Sequence, residues 1–118
     1  MLYKTWDKAV YGIPFLYYFI HFKSKIMLKY SVGLDVSSAD IHACFSVIDS
    51  QQKVKVISSK VINNNTKGFE ILVTWIEKNR KLKELPLVIG MEATGIYHEE
   101  CAYYLYDKNY AVSVVLPN

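Results

Sequence analysis

The chain has 118 residues, enough for one domain with a modest core. Its 52% hydrophobic and 14% aromatic content excludes a disordered chain. Two cysteines, Cys44 and Cys101, without a CxxC or a Cys/His cluster at zinc spacing, exclude a disulfide framework and a structural zinc site, and both read as reduced, buried thiols of a cytoplasmic protein.

The net charge of +3 is unevenly placed: residues 1–29 carry five lysines against Asp7, while residues 30–118 carry nine basic and ten acidic residues. The globular part therefore has no basic excess from which nucleic-acid binding can be read. Within the first 29 residues, the stretch 13–22, IPFLYYFIHF, is dense in aromatics and flanked by lysines. It is too short for a transmembrane helix, which needs about 20 apolar residues. Lys23, Ser24 and Lys25 follow it in place of a small-residue cleavage site, which argues against a signal peptide, and no membrane partner is expected. Met27 stands just ahead of an apolar run, and MLKYSVGLDVSS is a natural beginning for a strand-first domain. Residues 1–29 are thus expected to lie outside the fold, as an appendage or as upstream sequence read in frame.

From Tyr30 the pattern is regular. Residues 30–37 read as a first strand, with apolar Val32, Leu34 and Val36 ahead of Ser37 and Ser38. Ile41, Ala43, Phe45 and Val47 alternate with polar neighbours and predict a second strand, and residues 53–62 a third, with a change of phase around Ile57. Short turns between them fit an antiparallel arrangement. After Asn63-Asn64-Asn65, Thr66 is the expected N-cap of a helix whose inner face is Phe69, Leu72, Val73 and Ile76, ending in the charged stretch 77–83. Pro86 precedes residues 87–91, a strand without alternation, expected to be buried on both faces. A second helix follows Gly95, carrying Tyr97, Cys101, Tyr104, Leu105 and Lys108 at three- and four-residue steps, and residues 111–116 form a last strand. The order is β-β-β-α-β-α-β, an α/β fold with a mixed sheet.

Two apolar runs end in carboxylates: the first strand in Asp35, and LVIGMEAT in Glu92. With this strand order the first and fourth strands can be neighbours, so the two acids can converge at one edge of the sheet. Carboxylates held close together repel each other, and a divalent cation removes that penalty. Hard oxygen donors favour Mg²⁺ or Mn²⁺, the ions of phosphodiester transfer. Taken singly, an Asp at a strand end is also a common turn or cap residue. Asp40 and Asp49 fall in a turn or at the far strand end, His42 is expected on an exposed strand face, and His98, in the second helix's first turn, is expected at the surface, with an approach to Glu92 as the alternative. Glu99 and Glu100 suit a helix N-terminus without any further role.

VGLDVSSADIHACF, IGMEATGIYHEECAYYL and YAVSVVLPN, in this order over residues 30–118, resemble the N-terminal domain of DEDD-type transposases of bacterial insertion sequences, a family related to the pilin-gene invertases. The resemblance implies a ribonuclease H-like fold similar to Holliday-junction resolvases. It also implies metal-dependent phosphodiester strand transfer in DNA transposition, with Asp35 and Glu92 as the first two acids of a catalytic, metal-binding tetrad. Thr94, Gly95 and Tyr97 would position the second acid. The remaining two acids would follow VVLPN as an Asp-x-x-Asp, so residues 30–118 are expected to be a truncated, catalytically incomplete domain that binds Mg²⁺ or Mn²⁺ weakly. DNA, an element-encoded structured RNA and a homo-oligomer are the partners the resemblance implies. Two other readings of the same residues stay open: an actin-like or sugar-kinase-type ATPase half-domain, and a non-catalytic interaction module.

Overall fold

The computed structural model describes residues 27–93 and 95–116. The elements are β1 (Met27–Val36), β2 (Asp40–Asp49), β3 (Val54–Asn63), α1 (Thr66–Asn79), β4 (Leu87–Glu92), α2 (Glu99–Asp107) and β5 (Ala111–Val115), in the expected order. They form one mixed sheet, β3-β2-β1-β4-β5. β2 is antiparallel to both β1 and β3, whereas β4 runs parallel to β1 and β5 parallel to β4.

β1 begins at Met27, three residues before its expected start, because Met27 and Lys29 pair with Asp49 and Ile48 of β2. Residues 27–29 therefore belong to the sheet; the expectation for 1–26 falls outside the described residues. The phase change read around Ile57 is a bulge: Phe45 faces Ser58 while Ser46 faces Val56, leaving Ile57 as the extra residue.

Both helices lie on one face of the sheet. Strand alternation sends Tyr30, Val32, Leu34 and Val36 of β1, Ile41, Ala43, Phe45 and Val47 of β2, and Leu87, Ile89 and Met91 of β4 into a core with Phe69, Leu72, Trp75 and Ile76 of α1 and Cys101 and Leu105 of α2. Phe45 is at its centre, with Tyr30 at 5.1 Å and Trp75 edge-on at 6.0 Å between ring centroids. On the other face of β4, Val88 and Gly90 are only half-buried, which corrects the expectation of a strand buried on both sides. Among the described residues no helix lies over that second face, and β4 alternates like any half-covered strand.

Asn65, not Thr66, caps α1: its extended backbone and its side-chain oxygen, which accepts from Gly68 N at 2.8 Å, satisfy one of the first-turn N–H groups. Gly68 is required here because a Cβ would fall 1.8 Å from the Asn63 carbonyl oxygen. The inner face of α1 uses Trp75, whose Nε1 donates to Ser58 Oγ at 3.2 Å, while Val73 is half-buried. A turn over residues 95–98 precedes α2, so Tyr97 is exposed and not part of the helix. α2 is capped by Lys108, whose Nζ sits 5.5 Å from the Tyr104 ring centroid, followed by Asn109 in the left-handed region. The far end of α1 is tied to the start of β5 by the Tyr110 hydroxyl, which donates to Glu77 Oε2, and Lys83 Nζ lies 3.0 Å from Glu77 Oε1.

Replacing Gly68 by Ala is expected to destabilise the domain by about 3 kcal/mol, since backbone atoms must move apart. Asn65→Ala, which removes only the cap, is expected to cost about 1 kcal/mol. Urea unfolding of both variants checks the ranking; equal losses contradict it. The hydrogen bond from Tyr110, with the Lys83 contact, holds the Glu77 carboxyl below its usual range. Its contribution is therefore complete above the ordinary carboxylate pKa and fades as pH falls through the lowered folded value. The stability gap between the wild type and Glu77→Gln should shrink from about pH 7 to about pH 3; a gap independent of pH argues against this role.

Candidate metal centre

β1 and β4 pair in parallel from Tyr30 opposite Leu87 to Leu34 opposite Met91. One residue further along each strand stand Asp35 and Glu92. Leu34, Val36 and Met91 point into the core, so alternation turns both acids to the helix-free face, where both are exposed. Neighbouring strands are about 4.8 Å apart. The two carboxylates thus leave adjacent backbones at matching positions. They sit at the carboxyl ends of two parallel strands, the place where open α/β sheets bind ligands. The expected edge of the sheet is in fact the end of its two inner parallel strands.

Across the sheet the same row continues through His42, opposite Asp35, to Val61 on one side, and from Glu92 to Val115 on the other. The next row is built of small residues on all five strands: Ser59, Cys44, Gly33, Gly90 and Ser113. A Cβ on Gly33 or Gly90 would meet nothing within 4 Å. The result is an open trough of about 740 Å³, walled at one end by Asp35, Glu92 and His42.

His42 is exposed, as expected, but it shares the carboxylate face, with Nε2 3.6 Å from Asp40 Oδ1. Asp40 itself closes the β1–β2 turn: Ser37 Oγ donates to its Oδ1 at 2.9 Å and its backbone N donates to Ser37 Oγ at 3.2 Å. Asp49 is buried at the other end of β2, where its Oδ1 accepts from the backbone N–H groups of Gln51 and Lys53. Neither joins Asp35 and Glu92. His98 is half-buried, not a plain surface residue, and its Nδ1 is buried without a hydrogen-bond partner among the described residues. Glu99 and Glu100 occupy the first turn of α2, where acidic side chains suit the helix dipole. Thr94 lies outside the described residues. Gly95 takes a left-handed φ of 68° in the turn behind Glu92, a conformation that favours glycine.

Asp35 and Glu92 have no hydrogen bond or ion pair among the described residues, unlike Asp40 and Glu77. Two carboxylates without a partner among the described residues are a donor set suited to Mg²⁺ or Mn²⁺, ions that keep several waters and take one or two carboxylates. No group of three or more His, Cys, Asp or Glu able to hold a metal occurs among the described residues. Asn64, read from the sequence as part of a polar break, is the residue that reading missed. Its Nδ2 donates to the carbonyl of Ser37 at 2.7 Å and to that of Tyr97 at 3.0 Å, joining the loops behind the two acids. Nothing local in the sequence signals a contact across 27 and 33 residues.

Residues 32–118 match the IS110-type DEDD family, described as transposases. The chain is similar to the pilin gene-inverting proteins of Moraxella bovis and Moraxella lacunata, with 32% identity over 92 residues in each case. The match takes in 77% of this chain and 26% of each relative, so the chain spans about a quarter of their length. Among solved structures it is similar to the fowlpox virus Holliday junction resolvase, with TM-score 0.53 and 14% identity, over 75% of this chain and 61% of that one. Thermus thermophilus RuvC gives TM-score 0.52 and 6% identity, over 75% and 64%. These likenesses place the fold as ribonuclease H-like, in agreement with the expected strand order. No helix among the described residues is long and apolar enough to cross a membrane.

The two thiols differ in environment. Cys44 is half-exposed on the trough, and Cys101 is buried, with burial pushing its thiol pKa up to about 12. Alkylation with iodoacetamide at about pH 8 should modify Cys44 well before Cys101 in the folded protein, and both together after denaturation. Peptide mass spectrometry reads this directly; equal rates in the folded state contradict the assigned faces.

Proposed function

Because this chain belongs to the IS110-type DEDD transposase family, we propose that residues 30–118 are the N-terminal part of the catalytic domain of a DNA transposase. Its reaction is metal-dependent phosphodiester strand transfer on DNA in the cytoplasm. Asp35 and Glu92 serve as catalytic carboxylates and as ligands of Mg²⁺ or Mn²⁺. The observation that carries this reading is the register of β1 against β4, which sets the two acids side by side on the open face. When bound, the ion supplies charge neutralisation and activation of oxygen at a phosphodiester.

The chain's own contribution is placement. The paired strands hold both carboxylates on rigid backbone rather than on loops, which keeps their spacing. The row of Cys44, Gly33 and Gly90 leaves room beside them for a phosphate backbone to approach the sheet. Two carboxylates leave most of an octahedral shell to water, so these 118 residues alone bind the ion weakly and do not transfer strands.

Titration with Mn²⁺, followed by calorimetry or by the electron paramagnetic resonance of the free ion, tests the assignment. Asp35→Ala and Glu92→Ala should each weaken binding by about tenfold or more, because each removes one of the two anionic donors. Their unfolding midpoints should hardly change, since both side chains are exposed. Wild-type affinity in either variant would remove that residue from the site. Loss of neither would leave the domain a scaffold without a metal role.

A further inference from the structure

We propose that Asn64 is a positioning residue for the two-carboxylate site, clamping the loop behind Asp35 to the loop behind Glu92; this rests on the reading of Asp35 and Glu92 as metal ligands. The β1–β4 ladder ends at Leu34 opposite Met91, one residue short of the acids. Past that point Asp35 is held on its other side by His42 of β2, and Glu92 on its other side by Val115 of β5. Each acid is therefore paired to its outer neighbour strand, while the β1–β4 ladder itself stops one residue before the two of them. Among the described residues, Asn64 makes the hydrogen bonds that join the two loops just beyond them.

The geometry uses the donors of a carboxamide fully. Both hydrogens of Asn64 Nδ2 are spent, one on Ser37 O at 2.7 Å and one on Tyr97 O at 3.0 Å. Ser37 is two residues past Asp35, and Tyr97 five past Glu92. Asn64 is itself fixed: its backbone N donates to Ala39 O at 3.0 Å, Asn63 pairs with Asp40, and Asn65 caps α1. On the β1 side, Ser37 is locked into its turn by Asp40 through both backbone and hydroxyl. One side chain thus joins a rigid turn, the root of a helix and the turn around Gly95. No other side chain supplies two donors from so short a stem: Gln is one methylene longer, and Asp would set a carboxylate against two carbonyl oxygens.

Charge gives the test its sign. Asn64→Asp keeps the size of the side chain but adds a negative charge close to the site, which by electrostatics alone would strengthen cation binding. Loss of the clamp predicts the opposite. Mn²⁺ affinity is measured on the wild type, Asn64→Asp and Asn64→Ala, with thermal unfolding of each. The expected result is binding weakened about tenfold to a hundredfold in both variants, the range for partners that orient metal ligands. Unfolding midpoints should stay within about 5 °C of the wild type, because the bonds lost are near the surface. Should Asn64→Asp fail to fold, Asn64→Ala, which introduces neither charge nor bulk, decides alone. Unchanged or tighter binding in Asn64→Ala overturns the clamp while leaving the two-acid site standing. A wild type whose Mn²⁺ binding is indifferent to Asp35→Ala and Glu92→Ala instead overturns the site reading, and the clamp with it.

Discussion

The parallel pairing of β1 with β4, in one register, is the constraint on which the rest depends. A slip of one residue would turn Asp35 or Glu92 from the open face into the helix-covered core, where an unpaired carboxylate is costly to bury. Tyr30 pins the register at the start of both strands. Its backbone N donates to Pro86 O at 2.8 Å, and its hydroxyl accepts from Leu82 N at 3.0 Å. The connection between α1 and β4 is thus fastened to β1 before the ladder begins. Arg80 Nη2 donates to Leu85 O at 3.0 Å and holds the same connection from the helix side.

That register separates the two faces. One receives α1 and α2 and the large apolar side chains, with Ile41, Phe45, Leu72, Ile76 and Ile89 fully buried. Burial of each such side chain contributes about 2 kcal/mol against leaving it exposed, so this face provides the cohesion. The other face is open, with small residues and exposed Val61 and Val115 beside two acids that have no partner among the described residues. A site on the C-terminal ends of inner strands inherits the rigidity of the sheet without having to supply it.

Much of this was legible in the sequence. Element order followed from periodicity, and the fold from GLDVS and EATGIYH together. The residues with local signals behaved accordingly: the chain turned at Gly95 ahead of α2, and the phase shift near Ile57 was a bulge. What failed had non-local causes. Residues 87–91 look buried on both sides because Val88 and Gly90 are uncharged, yet burial of that face depends on what lies above it, which five residues cannot state. Thr66 and Asn65 are both good cap residues, and the cap is Asn65, whose extended backbone and side-chain oxygen meet Gly68 N. Asn64 carried no local signal at all, since its role exists only after β1, β3 and the turn before α2 have been brought together.

The central claim is that Asp35 and Glu92 hold one ion between them, and paramagnetic broadening by Mn²⁺ tests it most directly. Substoichiometric Mn²⁺ added to isotopically labelled protein should broaden the amide signals flanking both acids, Leu34 and Val36 with Met91 and Ala93, along a single titration curve. Broadening of one set without the other, or along separate curves, or centred on Glu99 and Glu100, would contradict a shared site.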